Sequence, residues 1–223
     1  MPVPDATYYG ETPEGLPIFY REVRKIEDDQ RKLEIMKSRI DSFMMKQMDW
    51  LSKKEPNGDY RVWSPFPLVI LTFVAIETLG HIISDVEKIK NENEFEQSKV
   101  LVTPIYRMMD KKLGHKPTVK FHEAFEKLHG KDDRKSLKTY SDVIHKYQRN
   151  TFNHGYQAKG VYLSHELDST WHIEEKGGFL IINPYRFWDL FKSTYENIFS
   201  DILKNQNKDY RMNALRYFQM LLN

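Results

Sequence analysis

From about residue 19 to 51 the apolar positions recur at helical spacing. Val23, Ile26, Leu33, Ile40, Met44 and Leu51 fall near one face, and Lys, Arg, Glu and Asp fill the others. This predicts one long helix, bent near Asp28-Asp29, with a solvated charged face. Residues 53–59 read as a turn, because Pro56-Asn57-Gly58 supplies a fixed φ and then residues tolerant of positive φ. A second helix is expected over about 67–90. Its first half is apolar on nearly every face, which makes it the central one. The most apolar run, 68–76, is too short to span a bilayer and reads as buried helix.

Residues 91–97 are polar and read as a loop or a frayed helix end. Thr103-Pro104 looks like an N-cap followed by proline at the first helical position, opening a short helix that Gly114 closes. Pro117-Thr118 opens another, closed by Gly130. After a charged loop at 131–138, a helix is expected over about 140–154. Tyr140, Val143, Ile144, Tyr147 and Thr151 form its inner stripe, and His145, Arg149, Phe152 and Asn153 lie on the neighbouring face. The period then changes. Residues 161–167, 171–175 and 179–182 read as strands, with Lys176-Gly177-Gly178 as a tight turn. Asn183-Pro184 reads as N-cap and first position of an amphipathic helix to about 203, with Phe187, Leu190, Phe191, Thr194, Ile198 and Ile202 inward. A last helix over about 209–222 presents Met212, Leu215, Phe218 and Leu222.

The expected organisation is therefore mainly α. Residues 1–18 form an extended N-terminal arm that holds four prolines and the adjacent Tyr8 and Tyr9. Residues 19–223 form a single helical domain, with a small β-hairpin or β-sheet insertion at about 161–182. The arm's tyrosines suit packing on their own domain, and RNA stacking is the other use such rings find.

Composition narrows the chemistry. The chain has 223 residues, 30% charged, with a net charge of +2. No global field draws it to nucleic acid, so RNA binding would rest on local charge. There are no cysteines, which excludes disulfides, thiolate metal sites and cysteine catalysis and suits a reducing cytoplasm. The first residues lack the basic and apolar regions of a signal peptide, and no membrane attachment is expected. His122, Glu123 and His129 share a helix, but not at the H-E-x-x-H spacing, and His165 and His172 read as surface residues. No metal and no cofactor are expected. Glu77 and His81 stand four residues apart in the central helix. A carboxylate buried there needs a partner, and His81, Arg149 or a backbone group are the candidates.

The richest stretch is Arg149-Asn150-Thr151-Phe152-Asn153-His154-Gly155. An arginine holds a phosphate through two parallel hydrogen bonds. An imidazole gives or takes a proton near neutral pH. Together they suffice to cleave a phosphodiester without a metal. The same residues also fit a structural role, capping a helix C-terminus and offsetting its dipole. On a regular helix five residues separate Arg149 from His154 by about 140°. A loosened last turn, or a site shared between two chains, would resolve that.

The pattern R-N-x-x-x-H resembles the signature of the HEPN superfamily, small helical domains found in prokaryotic toxins, abortive-infection proteins and CRISPR-associated ribonucleases. Arg149, Asn150 and His154 match its three places, and His154-Gly155-Tyr156 matches the His-x-Tyr extension of some toxin members. The resemblance implies a HEPN-like helical bundle and an RNA-cleaving site where two domains meet. With one motif per chain it implies a homodimer. It casts Arg149, Asn150 and His154 as catalytic residues acting on single-stranded RNA, without a metal, in prokaryotic defence or toxin–antitoxin biology. Asn153, Tyr156, Lys146, Lys159 and Glu77 are the candidates for RNA binding or support. Lys131, Arg134, Lys135 and Lys138 add local positive charge. The alternative is a catalytically silent HEPN-like module used for dimerisation or interaction. A DNA-binding regulator is not favoured, since no basic recognition helix is evident.

An antitoxin or nucleotidyltransferase partner is the further implication of the extended motif, in which such an enzyme modifies the tyrosine and silences the toxin. The added β element and the extra length depart from the small toxin form. Mass spectrometry after co-expression with the product of a neighbouring gene tests this. The expected outcome is a mass increment of whole adenylate units on Tyr156, and an unmodified tyrosine counts against that partner.

Overall fold

In the computed structural model the residues described are 4–54, 66–85, 94–129, 138–153, 161–163, 173–176 and 179–222. Strands β1 (Tyr8–Glu11) and β2 (Pro17–Phe19) pair antiparallel and lead into a single helical turn, α1 (Tyr20–Val23). Helix α2 (Asp29–Ile40) continues through a π-helical turn (Asp41–Met45) into α3 (Lys46–Ser52). Next come α4 (Phe66–Ile83), α5 (Glu94–Met109), a 3-10 turn (Lys111–Gly114), α6 (Val119–His129) and α7 (Tyr140–Asn153). A small sheet follows, β3 (Val161–Leu163), β4 (Ile173–Lys176) and β5 (Phe179–Ile182). Helices α8 (Pro184–Leu203) and α9 (Lys208–Leu222) complete the order. The architecture is mainly α with a small β insertion after α7.

Helix α4 is apolar on nearly every face, so burying it takes neighbours on several sides. It packs against α3, α5, α8 and α9. By length and composition alone it could cross a bilayer, with a mean hydropathy of 2.0. However, 56% of it is buried inside the fold, which makes it a core helix here. Its side chains join those of the hairpin, α2, α5, α7, α8 and α9 in one hydrophobic cluster. Strand β5 lies in the middle of its sheet, parallel to β3 and antiparallel to β4. Leu180 and Ile182 carry the sheet into the core.

The long N-terminal helix expected over 19–51 is broken rather than bent. Asp28 ends the irregular stretch after α1 by capping α2, its side chain accepting from the Arg31 N–H at 2.6 Å. Residues 8–18, expected as part of an extended arm, form a hairpin with Phe19, and Tyr9 is fully buried. The Arg39 guanidinium covers the Tyr9 ring at 4.4 Å and donates to the Tyr9 carbonyl. Burial pushes the Tyr9 hydroxyl well above the ordinary tyrosine range. The expected loop at 91–97 and short helix opened by Pro104 are also corrected. Residues 94–97 belong to helix α5 and Pro104 lies inside it, while 91–93 lie outside the described residues. Proline there removes the N–H that would reach Val100, and Val100 lies at the surface, where water can take the carbonyl. At the chain's other end Asn183 caps α8 as expected, accepting from the N–H groups of Tyr185 and Arg186 at 3.2 Å each.

Helices α4 and α5 approach backbone to backbone. A Cβ on Gly80 would lie 2.6 Å from the Leu101 carbonyl oxygen and 2.9 Å from its carbon. The obstacle is backbone, which cannot swing aside. Gly80→Ala is expected to force the two helices apart and destabilise the protein by about 1–3 kcal/mol. A lowered urea midpoint at unchanged slope is the expected reading. An unchanged midpoint would contradict the close approach.

Candidate functional site

Helix α7 carries the first half of the R-N-x-x-x-H stretch. Its start is specified by the local sequence Thr139-x-x-Asp142. The Asp142 N–H donates to Thr139 Oγ1 at 3.2 Å, and the Thr139 N–H donates back to Asp142 Oδ2 at 2.8 Å. This is a capping box with aspartate as the returning acceptor. The same Oδ2 takes the Lys138 N–H at 2.9 Å. The other carboxylate oxygen, Oδ1, lies 3.0 Å from the Lys99 ammonium of α5. One nearly buried carboxylate thus closes the helix N-terminus and ties it to a neighbour. Its negative charge also suits the positive end of the helix dipole. Backbone adds a further tie, since the Tyr140 N–H donates to the His115 carbonyl at 3.1 Å.

Five successive residues, Ser141, Asp142, Val143, Ile144 and His145, are buried. Five residues exceed one helical turn, so the first half of α7 is enclosed all round rather than resting on one side. The expected inner stripe holds for Val143 and Ile144, both fully buried, and for the partly buried Tyr140. His145, expected on the neighbouring face, is buried too. Beyond it the helix rises through Lys146, which is half-buried, to Arg149, Asn150 and Asn153, its last residue. The helix begins at the expected Tyr140 and is described as far as Asn153. His154, Tyr156 and Lys159 lie outside the described residues.

Glu77 departs from expectation. It stands on an exposed strip of α4 with Val74, and it accepts from Ser98 Oγ of α5 at 3.0 Å. A helix apolar on so many sides offers little periodicity from which to tell its one open side. His81, one turn on, stacks on Tyr217 of α9 with centroids 6.5 Å apart.

The residues that sequence reasoning missed are Lys99, Thr139 and Asp142. The Thr-x-x-Asp pattern before an apolar run was a readable sign of a helix start. The lysine on another helix had no local sign. A polar groove of about 370 Å³ lies elsewhere, between the hairpin and the π-turn, lined by Glu11, Lys37, Asp41 and Ser42 among others. Its central charges are engaged with one another. Lys37 pairs with Asp41 at 2.8 Å and Glu196 at 3.2 Å, and the Tyr195 hydroxyl donates to Asp41 at 2.6 Å. Burial and the Asp41 charge both push the Tyr195 hydroxyl up.

Comparison with known proteins gives no match among family models, curated proteins or solved structures.

Replacing Asp142 separates its two roles. Asp142→Ala removes the cap and strands the Lys99 charge, for an expected loss of about 2–4 kcal/mol. Asp142→Asn keeps an oxygen for the backbone N–H groups and should cost less. Urea denaturation of both variants checks the order: equal losses would mean that the cap contributes nothing, and an Asp142→Asn variant as stable as wild type would mean that the ion pair contributes nothing.

Proposed function

We propose that this chain is a metal-independent endoribonuclease of HEPN type that cleaves single-stranded RNA. The composite site would form from two R-N-x-x-x-H motifs in a homodimer. The observation that carries the reading is the motif itself, an arginine and a carboxamide on the last turns of a helix whose first half is locked into the core, with an imidazole next in sequence. Such a helix supports precise positioning, because its base is fixed on all sides and by a capped N-terminus.

In this reading the RNA supplies its own nucleophile. The 2′-oxygen forms a bond to the adjacent phosphorus, and the bond from phosphorus to the 5′-oxygen breaks. The proton of the 2′-hydroxyl passes to a base and the leaving 5′-oxygen takes one from an acid. His154 serves in one of these roles. Arg149 binds the phosphate and offsets the charge that gathers on its oxygens, and Asn150 orients the arginine or bonds a non-bridging oxygen. The products are a 2′,3′-cyclic phosphate and a 5′-hydroxyl. DNA resists, since it lacks the nucleophile.

End-labelled single-stranded RNA incubated with the protein in excess EDTA tests this. Cleavage leaving cyclic phosphate is expected, with a loss of about 10²-fold or more in Arg149→Ala and in His154→Ala, at unchanged circular dichroism and sedimentation. Cleavage persisting in both variants would sink the assignment. A folded wild-type dimer that leaves RNA intact would turn the reading to the silent interaction module.

A further inference from the structure

A second feature lies at the opposite end of α7 from the motif, at the corner where α5 turns into α6. Residues 107–120 carry five cations, Arg107, Lys111, Lys112, Lys116 and Lys120, against one carboxylate, Asp110. That local excess is larger than the net charge of +2 on the whole chain. The carboxylate caps the 3-10 turn, accepting from the Lys112 N–H at 2.8 Å. Arg107, Lys111, Lys116 and Lys120 are exposed, and none of them forms an ion pair among the described residues. On α2 and α8, by contrast, Arg31, Lys32, Lys37 and Lys192 each meet a carboxylate at 2.8 Å or less. The corner is compact. The Arg107 stem lies against Gly114, where a Cβ would come 3.3 Å from Arg107 Cγ. Both α5 and α7 pack on the 3-10 turn, and the Tyr140 N–H donates to the His115 carbonyl at 3.1 Å. Lys138, exposed two residues before Tyr140, adds a further ammonium at the same place. Helix α6 also starts here, with the Phe121 N–H donating to Thr118 Oγ1 at 3.2 Å, so the positive end of its dipole lies among these cations.

We propose that this corner, through Arg107, Lys111, Lys116, Lys120 and Lys138, binds the phosphate backbone of single-stranded RNA and leads it to the motif at the far end of α7, an inference that rests on the reading of the chain as a ribonuclease. Crowding like charges on one corner works against folding. A polyanion removes that repulsion, and binding it releases its counterions. Charge complementarity decides the occupant. A second copy of the chain would set the same cations against themselves across a two-fold axis. An acidic protein would have to place its carboxylates to match, whereas a phosphodiester chain brings a charge at every step and adjusts its path. Such contacts position the strand without reading its sequence. Helix α7 sets the distance to the motif. Nine residues separate Tyr140 from Arg149, about 14 Å along the helix axis. A stacked strand, at about 3.4 Å per nucleotide, needs about four nucleotides to reach from the corner to the motif. Shorter substrates meet the motif alone. The corner therefore adds affinity for long RNA without touching the reacting phosphate.

Fluorescence anisotropy of labelled oligothymidylate measures the corner by itself. This probe carries the phosphates but no 2′-hydroxyl, so the result is independent of any ribonuclease activity. The wild-type protein should bind with an affinity that falls as salt rises. Lys111→Gln, Lys116→Gln and Lys120→Gln combined should flatten the slope of log affinity against log salt by about 2, at roughly 0.7 for each lost phosphate contact. Lys25→Gln, which removes an exposed lysine from another part of the fold, should leave the slope as it is. All four lysines are exposed, so thermal midpoints should stay close to wild type. Cleavage then separates this inference from the ribonuclease reading. The triple variant should raise KM for a long single-stranded RNA at unchanged kcat, and should match wild type on a ribodinucleotide, which is too short to reach the corner. No binding of oligothymidylate by the folded wild-type protein would overturn the proposal, and so would a triple variant with the wild-type slope. A charge-matched oligoglutamate bound more tightly than oligothymidylate would overturn the choice of occupant and point to an acidic protein. Binding through the corner by a protein that cleaves no RNA would uphold the phosphate contact and sink the ribonuclease reading alone.

Discussion

The approach of α4 and α5 at Gly80 governs the depth at which everything beyond them sits. With no side chain at that position the Leu101 peptide comes into direct contact with the central helix. That depth lets Ser98 reach Glu77 on one side of α5 and Lys99 reach Asp142 on the other. Asp142 in turn determines where α7 begins. The placement of the motif helix thus runs through a chain of short contacts that starts at one missing Cβ. Each contact is modest, but they act in series, so a displacement at the first is carried to the last.

Signals confined to a few neighbouring residues were legible. Asn183-Pro184 marked the start of α8 because cap and first turn are a local arrangement, and the start of α7 followed from its apolar period. The small β insertion was legible from the change of period, and the pairing of β4 with β5 from the tight turn between them, although the place of β3 was not. That β3 runs parallel to β5, with β4 on the other side, depends on contacts across the sheet. Thr103-Pro104 misled because a proline reads alike at a helix start and within a helix where the residue four positions before it lies at the surface. Glu77 misled because a core helix with one open side looks, from sequence, like one with none.

The candidate site divides along the same line. Arg149 and Asn150 drew notice as residue types at a spacing, and helix α7 carries both in its last turns. The device that holds their helix, the Lys99–Asp142 pair, joins positions 43 residues apart in the numbering and had no signature. Exposure is likewise a property of the fold. Tyr9 and Tyr8 are adjacent in sequence, yet one is sealed beneath Arg39 and the other faces solvent.

The π-turn at Asp41–Met45 acts as a phase correction. A turn with i→i+5 bonds takes up one extra residue, so everything after it is set back by about 100° relative to an unbroken α-helix. Met36 and Met48 are both buried to within 1%. On an unbroken helix they would point about 120° apart, and with the extra residue the difference falls to about 20°. One residue's worth of slack therefore keeps a 24-residue rod, α2 through α3, facing the same core along its whole length. It also keeps Trp50 on the outside. The two faces of the rod are coupled by arithmetic: any change that adds or removes a residue within the turn rotates the inner and outer sets together, and neither surface can be re-phased without the other.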